Sequence, residues 1–136
     1  MASARIKWTG QKEFIGVDST NHSVVISTPA EGTGMKPSEL LLVALASCTA
    51  VDVVEILTKK KLTLTGLEIF ATAEQEADPP WTFRKIHLNY VFRGKDLTEK
   101  AVEQAIALSE EKYCSVAATI RGKAEITTSY EIHLEA

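Results

Sequence analysis

The segment from Pro37 to about Lys59 constrains this chain more than any other. Pro37 suits the first position of a helix, where its missing N–H is no loss. Leu40 to Ala46 is then apolar without a break, and no polar residue interrupts until Ser47. A helix at the surface of a domain carries a polar stripe; this one is expected to be buried on most sides. One sheet and one short helix cannot cover it all round. The default solution is a second copy of the chain, usually about a two-fold axis. Burying roughly ten apolar side chains at ~1.5–3 kcal/mol each would make such a homodimer obligate. The same unbroken run is far shorter than the ~20 residues that a membrane-crossing helix needs. Asp52 and Glu55 follow within the helix, so no membrane partner is expected.

The flanking sequence reads as strands. Arg5 to Thr9 alternates, with Ile6 and Trp8 on one face, and "KEFIGVD" and "SVVIS" follow across the turn-like "DSTNH". These predict a three-stranded meander. Beyond the helix, "LTGLEIFATAE" and "FRKIHLNYVF" alternate as half-buried antiparallel strands, and Pro79-Pro80 enforces the turn between them. Asp96 or Thr98 is positioned to cap a second, amphipathic helix with Leu97, Ala101, Ala105 and Leu108 along one stripe. This helix is expected to end near Lys112, with "CSVAATI" starting a short further helix. A last strand alternates from Ala124 to Leu134. The order is β-β-β-α-β-β-α-β, the sheet largely antiparallel, and the class α+β. With 136 residues, residues 1–136 are read as one domain.

Charge narrows the function. A net charge of −3 argues against nucleic acid, which requires a clustered basic face. The one basic run, Lys59-Lys60-Lys61, follows the apolar helix, where lysines complement the helix dipole. No apolar core of signal-peptide length occurs in "MASARIKWTGQKEF", so a cytoplasmic protein is expected. The two cysteines form no CxxC and have no histidine ligands at zinc spacing; neither a metal nor another cofactor is expected.

Those cysteines, Cys48 and Cys114, admit three readings. Both can be small buried apolar residues. One can be a hydrolase nucleophile, but His22, His87 and His133 fall in a loop and on polar strand positions, where none makes a convincing base. The pair can instead be a dithiol that cycles through a disulfide. Local sequence favours the last: Ser47 and Thr49 flank Cys48 in an otherwise aliphatic helix, and Cys114 sits at a helix boundary, where amides bias a thiol toward thiolate. A peroxide-reducing cysteine attacks as thiolate, becomes a sulfenic acid and is captured by a second thiol. An apolar neighbourhood would favour an organic hydroperoxide over hydrogen peroxide.

"GMKPSELLLVALASCTAVDVVEIL", "SEEKYCSVAA" and the closing "EITTSYEIHL" resemble the OsmC/Ohr superfamily, the osmotically inducible and organic hydroperoxide resistance proteins, and more closely its OsmC-like branch. The order of elements matches along nearly the whole chain. The resemblance implies an intertwined homodimer with two central helices wrapped by sheets of both subunits. It also implies Cys48 as the peroxidatic thiol and Cys114 as the resolving thiol, at sites on the dimer interface.

In that family the reactive cysteine is paired with an arginine on an N-terminal strand and a glutamate just after the proline. Here Ser38 follows Pro37 and Glu39 stands one place later, which turns a helical side chain by about 100°. The matching strand position falls near Phe14, and no arginine lies between Trp8 and Pro37. Lys12, Lys36, Arg5 and Arg121 are the cations left to consider. Cys48, Cys114 and Glu39 are therefore the candidate catalytic residues. The resemblance leads to a thiol-dependent peroxidase that reduces organic hydroperoxides, with an external dithiol as reductant. The alternative is a non-catalytic dimeric binder of a small apolar ligand, or a slow redox sensor.

Asp52, one turn beyond Cys48, would oppose a thiolate, so a hydrogen-bonding role suits it better than catalysis. Tyr113 is read as a packed aromatic at a helix end, with donation to a peroxide oxygen as its other possible role. Trp81 would pack the loop after the double proline or shield an interface.

Overall fold

A computed structural model describes all residues, Met1–Ala136. The strands are β1 (Ala4–Gly10), β2 (Glu13–Asp18), β3 (Ser23–Ser27), β4 (Leu64–Gln75), β5 (Phe83–Gly94) and β6 (Glu125–Leu134). The helices are α1 (Pro37–Lys59), α2 (Glu99–Leu108) and α3 (Ser115–Ile120), with a π-turn, Ser109–Tyr113, joining the last two. The class is α+β, as expected. The chain forms two compact units, Met1–Leu42 and Val43–Ala136.

The first unit is the antiparallel meander β1-β2-β3 with the start of α1. Its loop after β3 is tied back by paired hydrogen bonds: the Ser27 amide donates to Met35 O at 3.0 Å, and the Met35 amide to Val25 O at 2.9 Å. The Ser27 hydroxyl accepts from the Gly34 amide at 3.0 Å. Gly34 has no room for a side chain, since a Cβ would come within 2.6 Å of Ile26 N.

The second unit holds a sheet of order β4-β5-β6. β4 and β5 form an antiparallel hairpin, but β6 pairs parallel to β5. The parallel pairing arises because α2, the π-turn and α3 carry the chain back before β6 begins, the crossover that parallel strands require. Central β5 is buried on one face through Ile86, Leu88, Tyr90 and Phe92, and Tyr90 stacks on Phe92 with ring centroids 6.0 Å apart. The other face is polar, and His87 bridges Thr127 and Ser129 of β6 through its two ring nitrogens at 2.7 Å each.

Thr98, not Asp96, caps α2 by accepting from the Ala101 amide at 3.2 Å. Asp96 accepts instead from the Thr63 amide at 2.6 Å, pinning the connection into β4. Regular α-geometry stops at Leu108 rather than near Lys112, because the chain widens there into the π-turn.

Within the single chain, helix α1 is covered along one stripe, and its remaining sides are left without cover. Only Leu45, Thr49, Val53 and Leu57 are buried, a stripe of four-residue spacing. Two residues away, and so turned by about 200°, Val43, Ser47 and Val51 are exposed together with Val54; Val51 reaches 65%. Apolar composition sets how much surface a helix can bury, not how much its own chain covers. By length and composition α1 is also long and apolar enough to cross a membrane, with a mean hydropathy of 2.2 over its most apolar window. Judging the span by the unbroken run Leu40–Ala46 understates this, because the interspersed Ser, Cys and Thr lower the mean only slightly.

Candidate active site: a dithiol beside the π-turn

Cys48 and Cys114 are both free thiols, one half-buried on α1 and the other buried with 2% exposure. The fold brings them together although 66 positions separate them in the chain (114 − 48). Cys48 lies close enough to Cys114 to help raise its pKa.

The polar residues flanking Cys48 satisfy themselves locally. The Ser47 hydroxyl donates to Ala44 O at 3.2 Å, and the Thr49 hydroxyl to Ala46 O at 3.1 Å. Such back-bonding to the preceding turn is the usual fate of hydroxyls inside a helix. Neither therefore spends its proton on the neighbouring sulfur.

Cys114 occupies the N-cap of α3. Its backbone is extended, and its sulfur accepts from the Ala117 amide at 3.3 Å. Its own amide donates to Ser109 O at 2.7 Å, the bond that closes the π-turn. The Ala117 amide favours a thiolate, as the position at a helix boundary predicts. Burial outweighs it: desolvation first, then the neighbouring Cys48, push the Cys114 thiol up to about 11. Cys114 is thus held as the protonated partner of the pair.

Around the two sulfurs lies a set of polar groups that the chain supplies from α1, β5 and the π-turn. The Ser109 hydroxyl, fully buried, donates to Asp52 Oδ2 at 2.8 Å. Asp52 therefore acts as a hydrogen-bond acceptor. Tyr90 is fully buried, and its hydroxyl forms no hydrogen bond of good geometry; the Thr49 hydroxyl near it gives its proton to Ala46 O. Burial pushes its phenol up to about 12; Glu110, Cys114 and Asp52 add to the rise, and only the Thr49 hydroxyl opposes it. Half-buried Glu110 has its carboxyl raised by burial, with Arg121 acting against that, and its Oε1 is buried without a partner.

Among the candidate cations, Arg121 is the one placed on this turn. Its Nη2 donates to Glu110 O at 2.6 Å. Arg5, Lys12 and Lys36 belong to the first unit. Glu39 belongs there too, exposed in the first turn of α1, where a carboxylate complements the helix dipole. No ion pair of the chain involves it.

Tyr113 is not packed as expected. It is 53% exposed, with the Lys112 ammonium 5.3 Å from its ring centroid. Trp81 is likewise exposed. The three histidines are engaged with other groups: His22 with Thr20, His87 with β6, and His133 with Glu131. None serves as a base for a cysteine hydrolase. A groove of about 440 Å³ between α1 and the π-turn is lined by Ile56, Leu108 and Tyr113 and by the charged side chains of Asp52, Glu55, Lys59 and Lys60.

Sequence reasoning missed Tyr90, Ser109 and Glu110. Tyr90 carried a signal, since it is the one residue with a polar tip in a strand face otherwise made of Ile, Leu and Phe. Ser109 and Glu110 carried none, because a serine and a glutamate at a helix end usually face water.

Comparison with known proteins adds to this geometry. A family model described as OsmC-like protein matches residues 30–129. The YhfA protein of Escherichia coli strain K12 is 36% identical over 129 residues, covering 95% of this chain and 96% of its own. A hypothetical protein from Aquifex aeolicus superposes with a TM-score of 0.89 at 31% identity, covering 100% of this chain and 98% of the other. The organic hydroperoxide resistance protein OhrB of Bacillus subtilis shares the fold, with a TM-score of 0.64 at 18% identity over 96% of this chain and 98% of its own.

Proposed function

The chain belongs to the OsmC-like family, and on that footing we propose that it is a thiol-dependent peroxidase that reduces organic hydroperoxides. The observation that carries the reading is the pairing of two reduced cysteines from distant parts of the chain, with the more buried one held as thiol. A dithiol peroxidase needs this division of labour.

The Cys48 thiolate attacks the terminal oxygen of ROOH. The O–O bond breaks, ROH leaves with a proton, and Cys48 becomes a sulfenic acid. The sulfur of Cys114 then displaces hydroxide from Cys48; the Cys114 proton leaves with it as water, and a disulfide forms. An external dithiol takes the disulfide back to two thiols by exchange. The place of Cys48, half-buried in an otherwise aliphatic stretch of α1, favours an alkyl hydroperoxide over hydrogen peroxide.

The working form in this reading is a cytoplasmic homodimer. The exposed stripe of Val43, Ser47, Val51 and Val54 on α1 supports it, because an apolar strip opposite a buried one asks for a second partner.

The test is stoichiometric. Reduced protein is mixed with cumene hydroperoxide and free thiols are counted. One equivalent of peroxide is expected to remove two thiols per chain, and Cys48→Ser to abolish the reaction. Survival of both thiols in a large excess of oxidant defeats the peroxidase reading and leaves that of an apolar-ligand binder.

A further inference from the structure

We infer that Ser109 and Asp52 form a strap that holds Cys114 against Cys48, and so act as positioning residues for disulfide closure. The inference rests on the dithiol reading above and concerns how that pair is kept in register.

Three groups of Ser109 are hydrogen-bonded. Its amide donates into α2, at Ala105 O and Ile106 O. Its carbonyl accepts the Cys114 amide at 2.7 Å. Its hydroxyl, fully buried, donates to Asp52 Oδ2 at 2.8 Å across 57 positions of sequence. Asp52 lies four residues beyond Cys48, one turn along the same side of α1 and about 6 Å along its axis. The path from one cysteine to the other therefore runs through one helical turn, one side-chain hydrogen bond and one backbone hydrogen bond.

The carboxylate in this strap is electrostatically awkward. A negative charge one turn from Cys48 opposes a thiolate there, so Asp52 works against the attacking step if it does nothing else. Its bond to Ser109 accounts for its presence. The π-turn makes the same point from the other side. Such turns are rare and are often found where a helix is adjusted for function, and here the widened turn delivers both the Ser109 hydroxyl to α1 and the Cys114 sulfur to the cap of α3. Closing a disulfide depends on holding two sulfurs in one orientation, and small misplacements cost large factors in effective concentration.

The experiment uses a glutathione redox buffer, so that no peroxide is needed. One glutathione disulfide oxidises the pair and yields two glutathiones, and the equilibrium constant is the effective concentration of Cys48 and Cys114. Ser109→Ala and Asp52→Ala are each expected to lower it roughly tenfold, and the double variant to lower it no further, as for two halves of one interaction. Asp52→Asn keeps an acceptor oxygen for Ser109 and should return the value to within about twofold of the native chain. A loss of packing alone would lower melting temperature without this pattern of rescue. Undiminished effective concentration in Asp52→Ala, or additive losses in the double variant, overturns the strap. A native chain that forms the disulfide in this buffer yet ignores cumene hydroperoxide leaves the strap standing and overturns the peroxidase.

Discussion

The Cys114 sulfur accepts the Ala117 amide at 3.3 Å and so serves as the N-cap of α3. A thiol is a weak acceptor, and this position ordinarily goes to Ser, Thr, Asp or Asn. The residue that is proposed to close the disulfide therefore also begins a helix, and the two roles can be separated by substitution.

Cys114→Ser should retain the cap, because a hydroxyl takes the same amide. Cys114→Ala should not, and is expected to be less stable than the serine variant by about 1 kcal/mol in urea unfolding. Both variants lose the disulfide, so a stability difference between them isolates the cap. Equal stability would mean that the 3.3 Å contact contributes nothing.

The raised pKa of Cys114 links stability to pH. An unfolded cysteine titrates near 8.5, and in the folded chain Cys114 is pushed up to about 11, chiefly by burial. The folded state therefore holds this proton more tightly than the unfolded state does. The stabilisation is fully present below about pH 8.5 and is lost progressively as pH rises toward 11. Unfolding free energy measured from pH 7 to 10 should fall more steeply for the native chain than for Cys114→Ser, which has no thiol there to titrate. Parallel profiles would contradict the burial argument.

The exposed stripe of α1 gives a prediction about assembly. Val51 is 65% exposed and lies on the side opposite Leu45, Thr49, Val53 and Leu57. Val51→Asp should leave each chain folded and shift sedimentation from twice the 14.9 kDa chain mass to once. Placing a charge in a buried apolar contact costs several kcal/mol. A native chain that sediments at once this mass overturns the proposed homodimer, and a variant that stays at twice it places the partner surface elsewhere.

Tyr90 presents a hydroxyl that is buried and makes no hydrogen bond of good geometry. Removing an unpaired buried polar group of this kind removes a desolvation cost without losing a contact. Tyr90→Phe is therefore expected to be as stable as the native chain or more so, by up to about 1 kcal/mol, in thermal or urea unfolding. A clear loss of stability would show that the hydroxyl has a partner in the folded protein.

Much of this was legible in the sequence, for identifiable reasons. The meander, the β4–β5 hairpin, α1 and the cap of α2 follow from local pattern: alternation, turn residues, Pro37 at a helix start, and a threonine before an apolar stripe. The two cysteines stood out because each broke its surroundings. The parallel pairing of β6 did not show, since a strand's alternation is the same in either direction and only the path of the crossover decides. That one chain cannot cover all of α1 was legible from its apolarity; which residues form the covered stripe was not, because apolarity does not name the neighbour. Ser109 was out of reach for a third reason. Its significance lies wholly in a bond to Asp52, 57 positions away, and no local rule ranks that serine above its neighbours.

The two-sided character of α1 has a bearing on how such a chain can drift over generations. One edge of the helix is committed to its own subunit through Leu45, Thr49, Val53 and Leu57, and the reverse edge carries small or branched apolar residues open to the outside. If the proposed second copy covers that reverse edge, little of the circumference between Val43 and Leu57 is left over for neutral change. Tolerated replacements should accumulate on the polar side of β4–β6 and in the tight turns, while this one helix stays nearly frozen.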